Sequence, residues 1–416
     1  MLSGIHWLLR SITCSYVVML LPVILALVLV RCNSLSGTVL SVQTSRAGSR
    51  FEPQPAQTWG PYVASGKNVL VIDAAERRQT IHGFGSALTE AAAFNFAAMS
   101  ATTRKTLIDL LWAPSPLGNG YTSGRLHLGS SDFALSSYSI DEKVGDYSLV
   151  DFDDALTHDS QYVLPLARAA MAAAGGNALK LFFSPWSPPA WLKINGNMID
   201  TTHPFGLIQS DAASTTLAAY FVRFAKAMSQ HGVPLWGLTM QNEPLMNMTG
   251  GKHFYEACAW TAESQGVWLR DYLGPALHAD NATSNLVVLG YDWNKGSIMP
   301  TWAATIMSLG SKFLGGIAFH WYAWSGGLQL SQLAAIESAA PGTFLLATEA
   351  CIIKKGIAIN GETHDYHGTF FGAGVPPGNN SVAYTWAAGE LYALDLLGNV
   401  RFGTAGWIDW NAILGE

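Results

Sequence analysis

Eight short apolar runs recur along this chain from residue 81 onward, and several of the longer stretches between them carry helical patterning. The runs are 81–86, 124–130, 179–184, 235–241, 286–291, 317–322, 343–348 and 405–410. A strand buried on both faces reads as a continuous apolar run, which is the pattern of a parallel sheet covered by helices. Two intervening stretches show the helical period plainly. Leu217, Tyr220, Phe221, Phe224 and Met228 share one face, with Ser214 as a candidate N-cap and Gly232 as a stop. Leu164, Ala167, Ala170 and Met171 do the same and end at Gly175-Gly176. Eight strand–helix units predict a (β/α)8 barrel, a TIM barrel of the α/β class. A doubly wound sheet is the rival architecture. Its phosphate-binding fingerprint is missing, because Gly83-Phe84-Gly85 lacks the third glycine.

The rest of the chain divides around that period. Residues 11–30 are almost wholly apolar and Arg31 closes them, so residues 1–32 read as a secretory signal peptide. The run is also long enough to act as an uncleaved membrane anchor. Three Asn-X-Ser/Thr triplets, at Asn247, Asn281 and Asn379, agree with a lumenal course ending in a lysosome or vacuole or outside the cell. Residues 33–80 read as a linker with partial β-sandwich strands, one of them at 68–73, and residues 81–416 as the barrel.

With 49% hydrophobic and 12% charged residues, the chain can bury a large core. A net charge of −6 gives no basic face, so nucleic acid is excluded as a partner. Cys14 and Cys32 belong to the N-terminal segment, and Cys258 and Cys351 stand alone in the body, so no disulfide framework is expected. Cys351 has no Cys-His signature around it and reads as a structural thiol rather than a nucleophile. No His-Glu-x-x-His occurs and the histidines are scattered, so neither a metal nor another cofactor is predicted.

In a parallel barrel, functional groups gather at the C-terminal strand ends. Strand two delivers Ser131-Asp132, strand three Pro185-Trp186, strand four Gln241-Asn242-Glu243-Pro244, strand six His320-Trp321-Tyr322, strand seven Thr348-Glu349-Ala350, and strand eight Asp409-Trp410-Asn411. Carboxylates, amides and aromatic faces converging on one mouth suit a carbohydrate. Glycosidic cleavage needs one carboxyl to protonate the leaving oxygen and another to attack or stabilise the anomeric carbon. Glu243 and Glu349 are the candidate pair, since strands four and seven face each other across the mouth of an eight-stranded barrel.

Several segments together resemble glycoside hydrolase family 30, and within it the branch that acts on glucosylceramide. They are Gln79 through Glu90 (QTIHGFGSALTE), Gly124-Arg125 with Ser131-Asp132-Phe133, Ser184-Pro185-Trp186 with Trp191-Leu192-Lys193, Asn242-Glu243-Pro244, His320-Trp321-Tyr322, Thr348-Glu349-Ala350-Cys351 and Gly406-Trp407 with Asp409-Trp410-Asn411. The resemblance runs in order from about residue 46 to residue 411. It implies a retaining β-glucosidase, with Glu243 as acid/base and Glu349 as nucleophile. Asp132 and Trp186 would hold the glucose hydroxyls and ring. Asn242 would meet the 2-hydroxyl, and Tyr322 and Trp410 would wall the pocket. Arg125 and His320 would support the site, with Arg125 keeping Glu349 ionised while Glu243 stays protonated in a drier setting. The implied substrate is glucosylceramide or a related lipid-linked β-glucoside at a membrane surface, with a lipid-binding activator protein as a further partner.

Relatives within the family cleave β-1,6-glucans or xylans, so an endo-glucanase or xylanase is the rival enzyme. Family members also continue past the eighth strand. The chain is therefore expected to lack the last barrel helix and the C-terminal sandwich strands, which keeps open an inactive glycan- or lipid-binding remnant. The loops 195–210 and 354–383, which would shape the aglycone side, match the family poorly.

Overall fold

The structure, a computed structural model, describes residues 5–7, 38–45, 47–49, 51–59, 73 and 75–414, except 116–117, 177–178, 247–254, 323–327, 352–357, 360–361 and 364–381. The chain forms two compact units, Met1–Arg77 and Arg78–Glu416. In the first, Ile5–Trp7, Ser41–Gln43 and Glu52–Pro53 make a small antiparallel sheet, and Thr38–Val39 pairs with Gln57–Thr58. The apolar run 11–30, all but the last residue of the expected strand at 68–73, and the Asn247 and Asn379 triplets lie outside the described residues. Asn281 is described and is exposed. Among the described residues, no helix is long and apolar enough to cross a membrane.

The second unit is a closed barrel of eight parallel strands: β1 Gly83–Ala87, β2 Ser123–Leu128, β3 Lys180–Pro185, β4 Gly237–Thr239, β5 Val287–Asn294, β6 Gly316–His320, β7 Phe344–Glu349 and β8 Thr404–Asp409. Each strand is the expected one, displaced by three residues at most, and β8 pairs with β1 to close the ring. Strand β4 is shorter than 235–241, although Trp236 N donates to Leu181 O and Met240 N to Leu289 O, so the ladder continues past both ends. The Gly83-Phe84-Gly85 run serves packing. A Cβ at Gly85 would lie 1.7 Å from Ser123 O, so only glycine lets β1 approach β2 there.

Helices cover the outside: α1 Glu90–Ala98, α2 Ala101–Leu111, α3 Val163–Ala174, α4 Asp211–Gln230, α5 Ala262–Trp268, α6 Gly274–Ala279, α7 Met299–Gly310, α8 Leu330–Ala339 and α9 Val382–Arg401. In α4 the five residues at helical spacing are all buried, but the N-cap is Ser210, whose hydroxyl accepts from Ala213 N. Ser214 lies inside the first turn instead. The helix begins one turn early because Ser210 is extended and can bond back to the helix start. Helix α3 ends at Gly175, which takes φ +91°.

Two packed layers result. The larger lies between strands and helices. A smaller one, built on Phe182, Leu289, Ala318, Leu346 and Ile408, fills the barrel interior. That plug forces polar side chains from the strand ends to gather above it.

Candidate active site

The polar cluster is centred on Arg125, from the middle of β2. Its guanidinium is fully buried and all its nitrogens are engaged. Nε donates to Ser184 Oγ at 3.0 Å, Nη1 to Glu349 Oε2 at 2.7 Å, and Nη2 to Asn242 Oδ1 at 2.8 Å and Asp292 Oδ2 at 2.9 Å. It also lies 4.8 Å from the Trp186 ring centroid and 5.6 Å from that of Trp410. A buried planar fork satisfies several acceptors that a point charge cannot.

Asp292 is the second centre, and the sequence reading missed it. It is fully buried and accepts from four donors: Arg125, Thr239 Oγ1 at 2.6 Å, Thr348 Oγ1 at 2.6 Å and His320 Nε2 at 3.1 Å. Four donors fill the acceptor sites of one carboxylate. Burial alone would raise its pKa, but Arg125, His320 and Thr239 hold it well below the usual range. A bulge aims it inward. Pairing between β5 and β6 shifts register between Tyr291 and Trp293, and both Tyr291 and Asp292 adopt positive φ, +75° and +60°. The expected strand stops at residue 291, one residue short of this charge. A lone acid at the end of an apolar run was the available signal.

The two glutamates meet over these centres. Glu349 ends β7, with its side chain 9% exposed. Glu243 follows β4 by four residues and is 13% exposed, with its backbone at φ +49°. A non-glycine residue in that region is strained, and such strain concentrates at functional sites. His320, the last residue of β6, lies between them. One ligand atom from each of Glu243, His320 and Glu349 falls within 4.8 Å of the others. His320 Nδ1 is 3.3 Å from Glu243 Oε1, an ion-pair distance with the ring aimed off the hydrogen-bond line. Burial pushes the imidazole down, but Glu349, Asp292 and Glu243 outweigh it and hold the pKa at about 10. Tyr255 Oη donates to Glu243 Oε2 at 3.0 Å. It comes from a loop without periodicity, so no sequence pattern marked it.

The expected division of labour is only partly met. Arg125 does sit on Glu349. Yet burial, the largest influence, raises the Glu349 carboxyl; His320 and Arg125 pull down, Glu243 and Asp292 push up, and the net direction is upward. Glu349 is also the less exposed of the pair, where the sequence reading had Glu243 in the drier setting. The reason is position. A residue that ends a barrel strand is enclosed by its neighbours, whereas Glu243 stands four residues out on a turn.

The remaining candidates line the mouth. Asn242 turns its amide oxygen to Arg125, leaving its NH2 end as a donor. Trp186 stacks on Trp410 with ring centres 5.2 Å apart and planes at 25°, and Phe133 meets Trp410 edge-on. Tyr322 is half-buried, its hydroxyl 3.0 Å from Cys351 Sγ. Burial raises the Cys351 thiol well above its usual range, which keeps it neutral and suits a structural thiol. Asp132 is exposed to the water of the mouth although protein surrounds it on several sides. Burial, Glu349 and Glu243 all push its carboxyl up, and the open water tempers the effect. Of the poorly matching loops, 195–210 is pinned by Lys193, whose ammonium donates to Met198 O, Asp200 O and Ala257 O. Most of 354–383 lies outside the described residues.

Glu243, His320 and Glu349 also offer the donor types of a metal site. The residues around them do not fit one. Arg125 at 2.7 Å from Glu349 and the protonated imidazole already supply two positive charges where a cation would sit. What remains is a carboxylate pair, each member with its own partner, at the mouth of a parallel barrel: the arrangement of a barrel glycosidase.

Comparisons with known proteins agree. The profile of the Glycosyl hydrolase family 30 TIM-barrel domain matches residues 81–416, and the chain belongs to that family; by family it is a glycoside hydrolase. Putative glucosylceramidase 4 of Caenorhabditis elegans is 31% identical over 381 residues, covering 91% of this chain and 67% of its own length. Lysosomal acid glucosylceramidase of Mus musculus is 28% identical over 380 residues, covering 91% and 68%. Endo-1,6-beta-D-glucanase of Neurospora crassa is 31% identical over 282 residues, covering 67% and 55%. The chain spans 61 to 68% of the length of the glucosylceramidase relatives it matches. Among solved structures, SrfJ from Salmonella typhimurium shares the fold with a TM-score of 0.72 at 23% identity, over 90% of this chain and 74% of that one.

Proposed function

We propose that the chain is a retaining β-glucosidase acting on glucosylceramide or a similar lipid-linked β-glucoside. The observation that carries this is the separation of the two carboxylates, whose oxygens approach within 4.8 Å. Retaining enzymes hold their carboxyl groups about 5–5.5 Å apart, and inverting ones leave about 6.5–9.5 Å for a water. In this reading Glu349 attacks the anomeric carbon while Glu243 protonates the departing oxygen. The glucosyl–Glu349 ester is then hydrolysed by a water that Glu243 deprotonates. Attack requires Glu349 ionised, although burial raises its carboxyl. Arg125 and His320 stabilise the ionised member. Asn242, Asp132 and the Trp186–Trp410 wall take the sugar.

The similarity to glucosylceramidases over most of the chain supports the lipid substrate; the similarity to endo-1,6-glucanases supports the alternative of a β-1,6-glucan. We further place the protein in the secretory pathway, ending in a lysosome, a vacuole or outside the cell, on the apolar run 11–30 and the exposed triplet at Asn281. A membrane-surface substrate and a lipid-binding activator protein belong to the same reading. The test is hydrolysis of an aryl β-glucoside, glucosylceramide and a β-1,6-glucan by the full chain, beside Glu349→Gln. Turnover of glucosylceramide that E349Q abolishes supports the reading. Preference for the glucan moves the substrate, and a folded but inert wild-type chain overturns the activity.

A further inference from the structure

Glu90 is a buried carboxyl that the mechanism above does not use. It opens α1, is 1% exposed, and lies on the far side of the loop that carries Asp132. One carboxylate oxygen accepts from Leu135 N at 2.9 Å, and the other meets His158 Nε2 at 2.6 Å. The adjoining amide of α1, Ala91 N, donates to Phe133 O at 3.0 Å. The first turn of α1 thus grips the loop on the C-terminal side of Asp132. On the other side Ser130 and Ser131 are buried, and Ser130 N donates to Tyr138 O at 2.9 Å to close the loop. Asp132 itself is exposed between these anchors, with Phe133 fixed against Trp410. His158 is in turn fixed by stacking on Tyr138, with ring centres 3.6 Å apart and planes at 19°. A buried carboxylate is costly unless its hydrogen bonds do specific work, and these bonds go to the Asp132 loop and to the histidine that orients the carboxylate.

We propose that Glu90 is a positioning residue, which with His158 sets the loop 130–138 so that Asp132 reaches the sugar. The inference rests on the proposed glucosidase reading for its kinetic part alone. The test uses full-length E90A, E90Q, D132N and E90A/D132N. Hydrogen exchange of peptides spanning 130–138 is followed without substrate, and kcat/KM is measured on an aryl β-glucoside. E90A is expected to speed exchange in the loop and to lower kcat/KM by about tenfold or more, the scale of a misplaced binding group. E90Q keeps an oxygen for Leu135 N and should stay close to wild type. E90A should add little to D132N, since coupled residues are not additive. Glu90→Met, which preserves side-chain volume, replaces E90A if that variant fails to fold. Unchanged loop exchange, or a full E90A effect persisting in the D132N background, would overturn the proposal. If the wild type itself does not hydrolyse the glucoside, the glucosidase reading fails, and the exchange data still decide whether Glu90 holds the loop.

Discussion

Arg125→Lys keeps the charge at the centre of the site and removes the fork. The guanidinium reaches five acceptors: Ser184 Oγ, Glu349 Oε2, Asn242 Oδ1, Asp292 Oδ2 and, at 3.3 Å, Thr348 O. An ammonium has three donors on one atom, so at least two of the five contacts must be lost. A hydrogen bond to a charged group contributes about 1.5–3 kcal/mol, which sets the loss at about 3–6 kcal/mol. It falls on stability and on the site together, because Asp292 and Glu349 are both buried. The kinetic sign follows from Glu349. Its carboxyl is already raised by burial, and weakening the nearest cation raises it further. The acid limb of kcat/KM should therefore move to higher pH in R125K. Chemical denaturation and a pH–rate profile read the two effects. A variant within about 1 kcal/mol of wild type, with the acid limb unmoved, would refute the claim that the fork organises the site.

Other consequences are checked more simply. Glu243→Gln should slow glucosylceramide turnover by about 10²–10⁴-fold, and aryl glucosides with good leaving groups less, because they need little protonation. Similar losses on both substrates would contradict an acid role. Asp159 is buried and held up at about 7, with burial as the main cause. Its folded pKa lies above the unfolded value, so its contribution is full below about pH 4 and is lost as pH rises through about 7. Asp159→Asn should therefore raise the melting temperature at pH 8 and leave it almost unchanged at pH 4; an equal shift at both would show that the charge is not responsible. Chelation with EDTA should leave activity intact, since two positive groups already neutralise the Glu243–His320–Glu349 set. An optimum on the acid side of neutrality is expected of two carboxyls that must act in opposite protonation states, and a maximum above neutral pH would count against it.

The barrel was legible because buried parallel strands have a distinctive apolar signature, and all eight registered within a few residues. The site was legible wherever a strand carried its functional residue to its end, as at Glu349, His320 and Trp410. Residues placed by irregular backbone were not. Asp292 depends on a bulge, Tyr255 on a loop, and Glu90 on a helix start whose partner lies in another loop. None of these has a period to read. The electrostatic contrast between the glutamates was hidden for a related reason. Exposure depends on how neighbouring strands enclose a terminus, which spacing does not reveal.

The central claim is that Glu349 forms a covalent glucosyl ester. Incubating the full chain with a 2-deoxy-2-fluoro-β-glucoside bearing a good leaving group slows both steps, and the slower second step traps the intermediate. Peptide mapping by mass spectrometry should then find one fluoroglucosyl group on the peptide that contains Glu349. Continued turnover of ordinary β-glucosides with no adduct, or an adduct on Glu243 or elsewhere, would contradict the account.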